Sequence, residues 1–417
     1  MLAQDRATLR AAAIPGAAWE TLAALGSLMP STPDSNGPLA VVLAGGGARA
    51  AYQVGVLSAV AEAYPDLDIP IYTGVSAGGI NTGYLAAHPG PFADAVEGLR
   101  AEWGRLVPDN AYAIRPMHIG RAAARWARNM LLGRSTGPPV LRGVLNMAPL
   151  GAFLASIFEP EGIHRNIQAG RLRAVAVSAT SYTTGQTVTF LEGTADVPTW
   201  ERAMRVAVRT RLTLRHLLAS AAIPIIFPAV KIDGAYYGDG SVRQTAPLAP
   251  AIHLGAGRIL AVAMRAGARA ERPAQTAYSY PVAAEVFGLL LHSVFLDTLD
   301  ADAERLQRIN FLLHSLPPGA ETHGLREVGL MMIRPSRDVG ALARGYALHV
   351  PRGVEFLIRS VGGGDIRASD FLSYLLFHQG FIQALTELGY EDTRRRRGEL
   401  EDFLGGSADR RAGGSTA

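Results

Sequence analysis

Ser76 sits in Gly74-Val75-Ser76-Ala77-Gly78, between an apolar, strand-like stretch at residues 69–73 and a helical one at 80–87. A tight strand-to-helix turn of this form holds its serine in a strained position and aims the first amides of the helix at it, which suits a nucleophilic hydroxyl. Gly45-Gly46-Gly47-Ala48-Arg49 follows the preceding apolar run, 39–44, and opens another helical pattern. Three glycines let the backbone approach a ligand closely, and their N–H groups near a helix start gather negative charge. In an acyl transfer that charge is the oxyanion of the tetrahedral intermediate. Asp239-Gly240 is the third group, reached through residues 230–242, whose Asp233-Gly234 pair reads as the turn of a short hairpin. Each group alone has an ordinary reading as a surface turn; Ser76 is lifted above it by its strand–turn–helix setting.

The glycine-rich run also satisfies the dinucleotide fingerprint, since Gly45, Gly47 and Ala50 fall at the required spacing. A dinucleotide fold wants an acid at the end of the second strand to hold the ribose. Here Asp66 and Asp68 precede that strand, and its end carries Gly74 to Gly78. A dinucleotide-binding oxidoreductase remains as an alternative, whereas a P-loop is excluded because no Gly-Lys-Ser/Thr follows.

The elements that must position these groups are buried strands alternating with helices. Apolar runs at 39–44, 69–73, 174–180 and 258–264 are short and continuous, the mark of strands covered on both faces. Shorter strands are expected at 187–191 and within 230–242. The fold class is therefore α/β, a mostly parallel sheet with helices on both faces. Four parts are expected: a helical lead and linker at 1–37, a catalytic α/β domain at 38–280, a helical C-terminal extension at 281–392, and a disordered tail at 393–417 carrying Arg394 to Arg397.

The chain of 417 residues is 48% hydrophobic and 18% charged, a globular composition, and has no cysteine, which removes disulfides, thiolate nucleophiles and cysteine-held metals. No apolar run reaches the eighteen or so residues of a spanning helix, and the N-terminus lacks the pattern of a cleaved signal. A cytoplasmic location is expected, with peripheral contact at the inner membrane face. Six histidines, His253, His292, His314, His323, His349 and His378, follow Ser76 late enough to complete a conventional triad, but none lies in a marked loop motif.

Taken in order, the Gly-Gly-Gly-x-Arg loop, Gly-x-Ser-x-Gly about thirty residues later, Ser220-Ala221-Ala222-Ile223-Pro224 and Asp239-Gly240 resemble the patatin-like phospholipases, in their bacterial form. The resemblance is dense over 38–260 and continues more thinly through 300–310, 333–342 and 373–390. It implies a fold related to the α/β-hydrolases and a lipid acyl hydrolase, phospholipase A or lysophospholipase in type. The implied catalytic pair is Ser76 and Asp239, with Gly45, Gly46, Gly47, Ala48 and Arg49 at the oxyanion hole and Gly74 and Gly78 framing the nucleophile. It calls for no cofactor or metal, and its substrate is a phospholipid or lysophospholipid. Two positions depart from the family pattern: Ala50 stands where glycine is usual after the arginine, and Ser241 where glycine or alanine follows Asp-Gly. A catalytically silent, lipid-binding member of the fold is a further alternative.

Between Asn110 and Phe158 there is no acidic residue, while Arg121, Arg125 and Arg128 fall on one helical face beside Trp126. That is the pattern of a basic helix lying on an anionic membrane, and equally of a solvated helix over aliphatic packing. No aromatic-interleaved motif accompanies the arginines, so nucleic acid is not an expected partner.

Overall fold

The computed structural model describes residues 37–114, 143–267, 297–317, 319–349 and 372–405, with isolated positions 289, 293 and 355. The expected N-terminal lead up to residue 36 and the basic stretch with Arg121, Arg125, Trp126 and Arg128 lie outside the described residues. No helix among the described residues is long and apolar enough to cross a membrane.

The described residues form twelve strands: β1 (Leu39–Leu43), β2 (Ile71–Val75), β3 (Ala113–Ile114), β4 (Leu145–Asn146), β5 (Ala174–Ser181), β6 (Thr187–Gly193), β7 (Glu201–Arg202), β8 (Arg205–Arg209), β9 (Val230–Ile232), β10 (Ala235–Asp239), β11 (Arg258–Val262) and β12 (Gly329–Ile333). The main sheet runs β12-β11-β1-β2-β5-β6-β8-β7. Its first five strands are mutually parallel. β1 and β2 are buried at every position, which is why their sequences are continuous apolar runs instead of alternating ones. β6 then pairs antiparallel to β5, and β3 with β4 forms a separate two-stranded ribbon.

The helices used below are α1 (Ala51–Ala63), α2 (Ala77–Ala87), α3 (Phe92–Arg105), α4 (Ala148–Ile157), α5 (Pro160–Gln168), α6 (Leu214–Ser220), α7 (Asp297–His314), α8 (Gln379–Arg395) and α9 (Arg397–Gly405). They cover the sheet on both faces, giving the mostly parallel α/β architecture with a helical C-terminal region. α1 is apolar around nearly its whole circumference because the sheet is not its only neighbour: α8 lies along it. The crossing is backbone to backbone. A Cβ at Gly55 would run into the Thr386 carbonyl, and one at Gly389 into the Tyr52 carbonyl. Tyr52 donates its hydroxyl to Asp392 Oδ2 at 3.1 Å beside this crossing.

Two details of the C-terminal region differ from expectation. Residues 329–333 form β12 and extend the sheet beside β11, so the region after 281 is not wholly helical. The tail expected to be disordered from residue 393 is helical through Gly405. Leu400 and Leu404 are buried there, and Arg258 Nη1 donates to the carbonyls of Phe403 and Leu404 at 3.0 and 3.2 Å. The arginines lie on the helix surface and are paired there: Arg396 with Glu399, and Arg397 with Glu401. Spacings of three and four residues place each acid next to its base on a helix, support that composition alone does not reveal.

Candidate active site

The turn at Ser76 forms as its glycines allow. Ser76 itself has φ 56°, in the left-handed region that costs a non-glycine residue on the order of 1–3 kcal/mol. Its neighbours leave room for that bend. A Cβ at Gly78 would strike the carbonyls of Leu43 and Ala44, and one at Gly74 would reach Gly78. The strain is held by a relay: Ser76 N–H donates to Ser220 Oγ at 2.8 Å, and Ser220 Oγ donates to the Ser178 carbonyl at 2.6 Å. Ser220 is the serine of the Ser-Ala-Ala-Ile-Pro segment, and nothing in its sequence setting signals that it tethers the Ser76 backbone. Ser76 is 1% exposed and lies among the residues that line an apolar pocket.

Strand register brings Asp239 to the same place. Along one edge of β5, β2 pairs as far as Val75 opposite Ser178, and β10 continues antiparallel with Asp239 opposite Ala179. The residue after Val75 is Ser76, so Ser76 and Asp239 meet where one strand hands over to the other. β10 arrives through a hairpin in which Asp233 and Gly234 both have positive φ, 44° and 86°. That pairing is the hallmark of the tight hairpin turn favoured by Asp-Gly. Asp239 is then clamped by its backbone, donating N–H to the Ala222 carbonyl at 2.8 Å and accepting Thr180 Oγ1 on its own carbonyl at 2.8 Å.

The Asp239 carboxyl is fully buried, and burial pushes its pKa from 3.8 to about 7, against the opposing pull of the Ser76 hydroxyl and of Ser241. Oδ1 accepts the Ser241 N–H at 2.9 Å. Oδ2 and the Ser241 hydroxyl are both buried without an aligned hydrogen bond. The departure at Ser241 thus puts a second donor group beside the acid.

Gly47 lines the pocket with Ser76 and Ala77. Gly47 has φ +56°, and a Cβ there would collide with the Tyr374 carbonyl; a Cβ at Gly46 would meet the Met264 side chain at 3.0 Å and Arg49 Cβ at 3.4 Å. Gly47→Ala is therefore expected to lower the melting temperature by several degrees, and by more than Gly46→Ala does. Parallel thermal melts check this. Gly45 and Ala48 are buried in the same loop. Arg49 departs from its expected role at the oxyanion hole. Its N–H donates to the Gly46 carbonyl at 3.1 Å, its Nε to Ser373 Oγ at 2.6 Å, and its guanidinium stacks 4.5 Å over the Tyr374 ring. Being engaged at both ends, Arg49 fastens the C-terminal segment over the loop. Ala50, the other departure, is fully buried under that segment.

The pocket wall is apolar. Ile80, Leu99, Trp103, Leu154, Leu217 and Phe227 contribute to it, and the internal void is narrow, about 70 Å³. Its polar residues are braced against one another: Trp103 Nε1 donates to Asn81 Oδ1 at 2.8 Å, Asn81 to Gln53 at 2.8 Å, and Gln53 to the Ala44 carbonyl at 2.7 Å. This chain ties the wall to the glycine-rich loop, and sequence spacing gave no sign of it. Among the described residues no histidine lines the pocket. His253 stacks on Trp200, and His349 packs on His378.

Comparison with solved structures finds low-identity resemblance. VipD from Legionella pneumophila is 12% identical, with 88% of this chain and 67% of that one aligned and a TM-score of 0.34. Human GIVD cytosolic phospholipase A2 in complex with methyl gamma-linolenyl fluorophosphonate is 12% identical, over 94% of this chain and 62% of that one, with a TM-score of 0.44. The same human protein with that inhibitor and terbium chloride gives 14%, 89%, 60% and 0.42 respectively. The chain thus spans about three-fifths to two-thirds of the length of these proteins. No curated protein sequence matches it. A family model described as patatin-like phospholipase matches residues 41–252, just over half of the chain and the part that carries the glycine-rich loop, Ser76 and Asp239. On that match the chain belongs to the patatin-like phospholipase family.

Proposed function

We propose that this protein is a serine esterase that releases fatty acid from phospholipids or lysophospholipids through a Ser76–Asp239 dyad. The observation that carries the reading is the junction of β2 and β10 on β5, which abuts a strained serine, at the head of an apolar pocket, on a buried carboxyl with a pKa near 7. A carboxylate whose basicity is raised that far can take a hydroxyl proton at neutral pH without a histidine between them.

In the forward step Asp239 accepts the Ser76 hydroxyl proton as Oγ attacks the ester carbonyl. The acyl chain lies in the apolar pocket. The developing oxyanion meets backbone N–H groups of the glycine-rich loop, Gly47 foremost, and of Ala77 at the start of α2, each such donor being worth several kcal/mol in the transition state. Asp239 then returns the proton to the leaving alcohol, which departs and leaves an acyl-enzyme. Water deprotonated by the same carboxylate hydrolyses it, releasing the fatty acid and restoring Ser76.

The test is a profile of fatty-acid release from phospholipid, lysophospholipid and diacylglycerol, together with mass spectrometry of the protein after reaction with a fluorophosphonate. Release from at least one lipid and a single adduct on the peptide containing Ser76 are expected. No release and no adduct would leave a silent lipid-binding protein, and an adduct on another residue would displace Ser76.

A further inference from the structure

Ile225 has φ +71° and is 62% exposed. A β-branched residue in the left-handed region is a genuine outlier, because its Cβ crowds the backbone that glycine would leave free. Burial does not compensate the strain, for the side chain faces solvent. Its place in the molecule is informative. It lies in the turn Ile223-Pro224-Ile225-Ile226-Phe227, whose first and last residues line the Ser76 pocket while Ile225 points away from it. The Ile225 and Ile226 carbonyls accept from Val144 N–H at 3.1 and 3.0 Å, which fixes the turn against the segment leading into α4.

That neighbouring surface is unusual for an exposed one. From Gly143 to Phe158 there is not one charged residue, although Ala148, Ala152, Ala155 and Ser156 of α4 are exposed and Leu150, Phe153 and Ile157 are half-buried at the pocket edge. The Ser156 hydroxyl donates to the Phe153 carbonyl of its own helix at 2.7 Å. Residues 221–230 of the Ile225 turn are likewise uncharged, with Ala229 exposed beside it. Glu102, paired with Arg105, also lines the pocket, so the uncharged surface is the sector made by α4 and the Ile225 turn. An apolar sector at the edge of the pocket that holds the proposed nucleophile fits one occupant better than a protein partner: the acyl layer of a lipid surface, continuous with the chain that enters the pocket.

We infer that Ile225 and the exposed face of α4 form the surface by which the protein docks on lipid, with Ile225 inserted into the acyl region. The inference rests on the lipid-hydrolase reading for its occupant but not on Ser76 chemistry for its test. Burial of an isoleucine side chain in hydrocarbon is worth enough to change affinity by about tenfold or more. The strain gives a sign that a packing residue would not. Ile225→Gly relieves the left-handed backbone, and Ile225→Asn places a polar residue that tolerates it.

The experiment is flotation with phosphatidylcholine vesicles free of anionic lipid, in about 0.5 M salt to suppress attraction through arginines. Thermal melting and turnover of a short water-soluble ester are measured on the same preparations. Both variants are expected to lose vesicle affinity at least tenfold, with a melting temperature equal to or above wild type and soluble-ester turnover retained. Unchanged flotation in both variants, or no flotation by wild type, overturns the inference. So does a marked fall in melting temperature in both, which would make Ile225 a packing residue. If wild type floats in an Ile225-dependent way yet hydrolyses no ester, the docking surface stands and the esterase reading fails.

Discussion

Ser76→Ala is expected to lower ester turnover by at least about 10⁴-fold and to abolish labelling by fluorophosphonates, with little change in melting temperature. The hydroxyl is the attacking atom in the proposed mechanism, so no partial reaction through an acyl-enzyme survives its loss. Alanine suits the fold less well than it suits the pocket. It keeps the unfavourable φ of 56° at the turn, but the Ser76 N–H to Ser220 Oγ bond is made by the backbone and is retained. A variant that unfolds would therefore contradict the structural account of the turn, and one still labelled at the wild-type rate would remove Ser76 as the nucleophile.

Asp239→Asn separates catalysis from stability in a way that depends on pH. Turnover is expected to fall by several orders of magnitude, because an amide cannot accept the hydroxyl proton. Stability moves oppositely. In the unfolded chain the carboxyl ionises near 3.8, and in the folded protein near 7, so the folded state holds the proton more tightly. Its stabilising contribution is full below pH 3.8 and is lost as pH rises to about 7, where the folded protein must bury a charge. At about 1.4 kcal/mol per pH unit the loss is on the order of 4 kcal/mol. The melting temperature of Asp239→Asn relative to wild type should therefore climb between pH 4 and pH 8. Wild-type kcat/KM should rise about tenfold per pH unit below 7 and level off above it, as the base ionises. A stability difference that stays flat over that range would show that Asp239 is not a strained, buried acid, and a turnover unchanged by the substitution would dismiss the dyad.

The nucleophile turn and the hairpin that delivers Asp239 were legible in sequence because their chemistry is local. Gly74 and Gly78 flank a bend that only small residues permit, and Asp233-Gly234 names its own turn type. The buried strands were legible for the same reason, as continuous apolar runs. What could not be read is what depends on distant partners. Arg49 gives no hint in sequence that it is bound to Ser373 and Tyr374, nor Ser220 that it tethers Ser76, since those pairings exist only once the sheet is assembled. β12 was hidden because Gly-Leu-Met-Met-Ile lacks β-branched residues except at its end and lies among helical patterns. The arginines after Thr393 looked like a solvated tail because their acids, Glu399 and Glu401, lend support only at helical spacing. Ile225 was passed over because an isoleucine after a proline is unremarkable until its φ is known.

The meeting of Ser76 and Asp239 on β5 has a bearing on how such a protein can change over time. Their separation is set by one step of a hydrogen-bonded ladder, Ser178 to Ala179, and not by the length of chain that connects them. Insertions or deletions in the intervening loops leave that step unaltered, so long as β5 keeps its pairing with both strands. The loops between β2 and β10 that carry neither β5 nor the Ser220 tether are thus free to lengthen, shorten or be replaced, remodelling the rim of the pocket and whatever it admits. The placing of Ser76 against Asp239 passes through such change untouched.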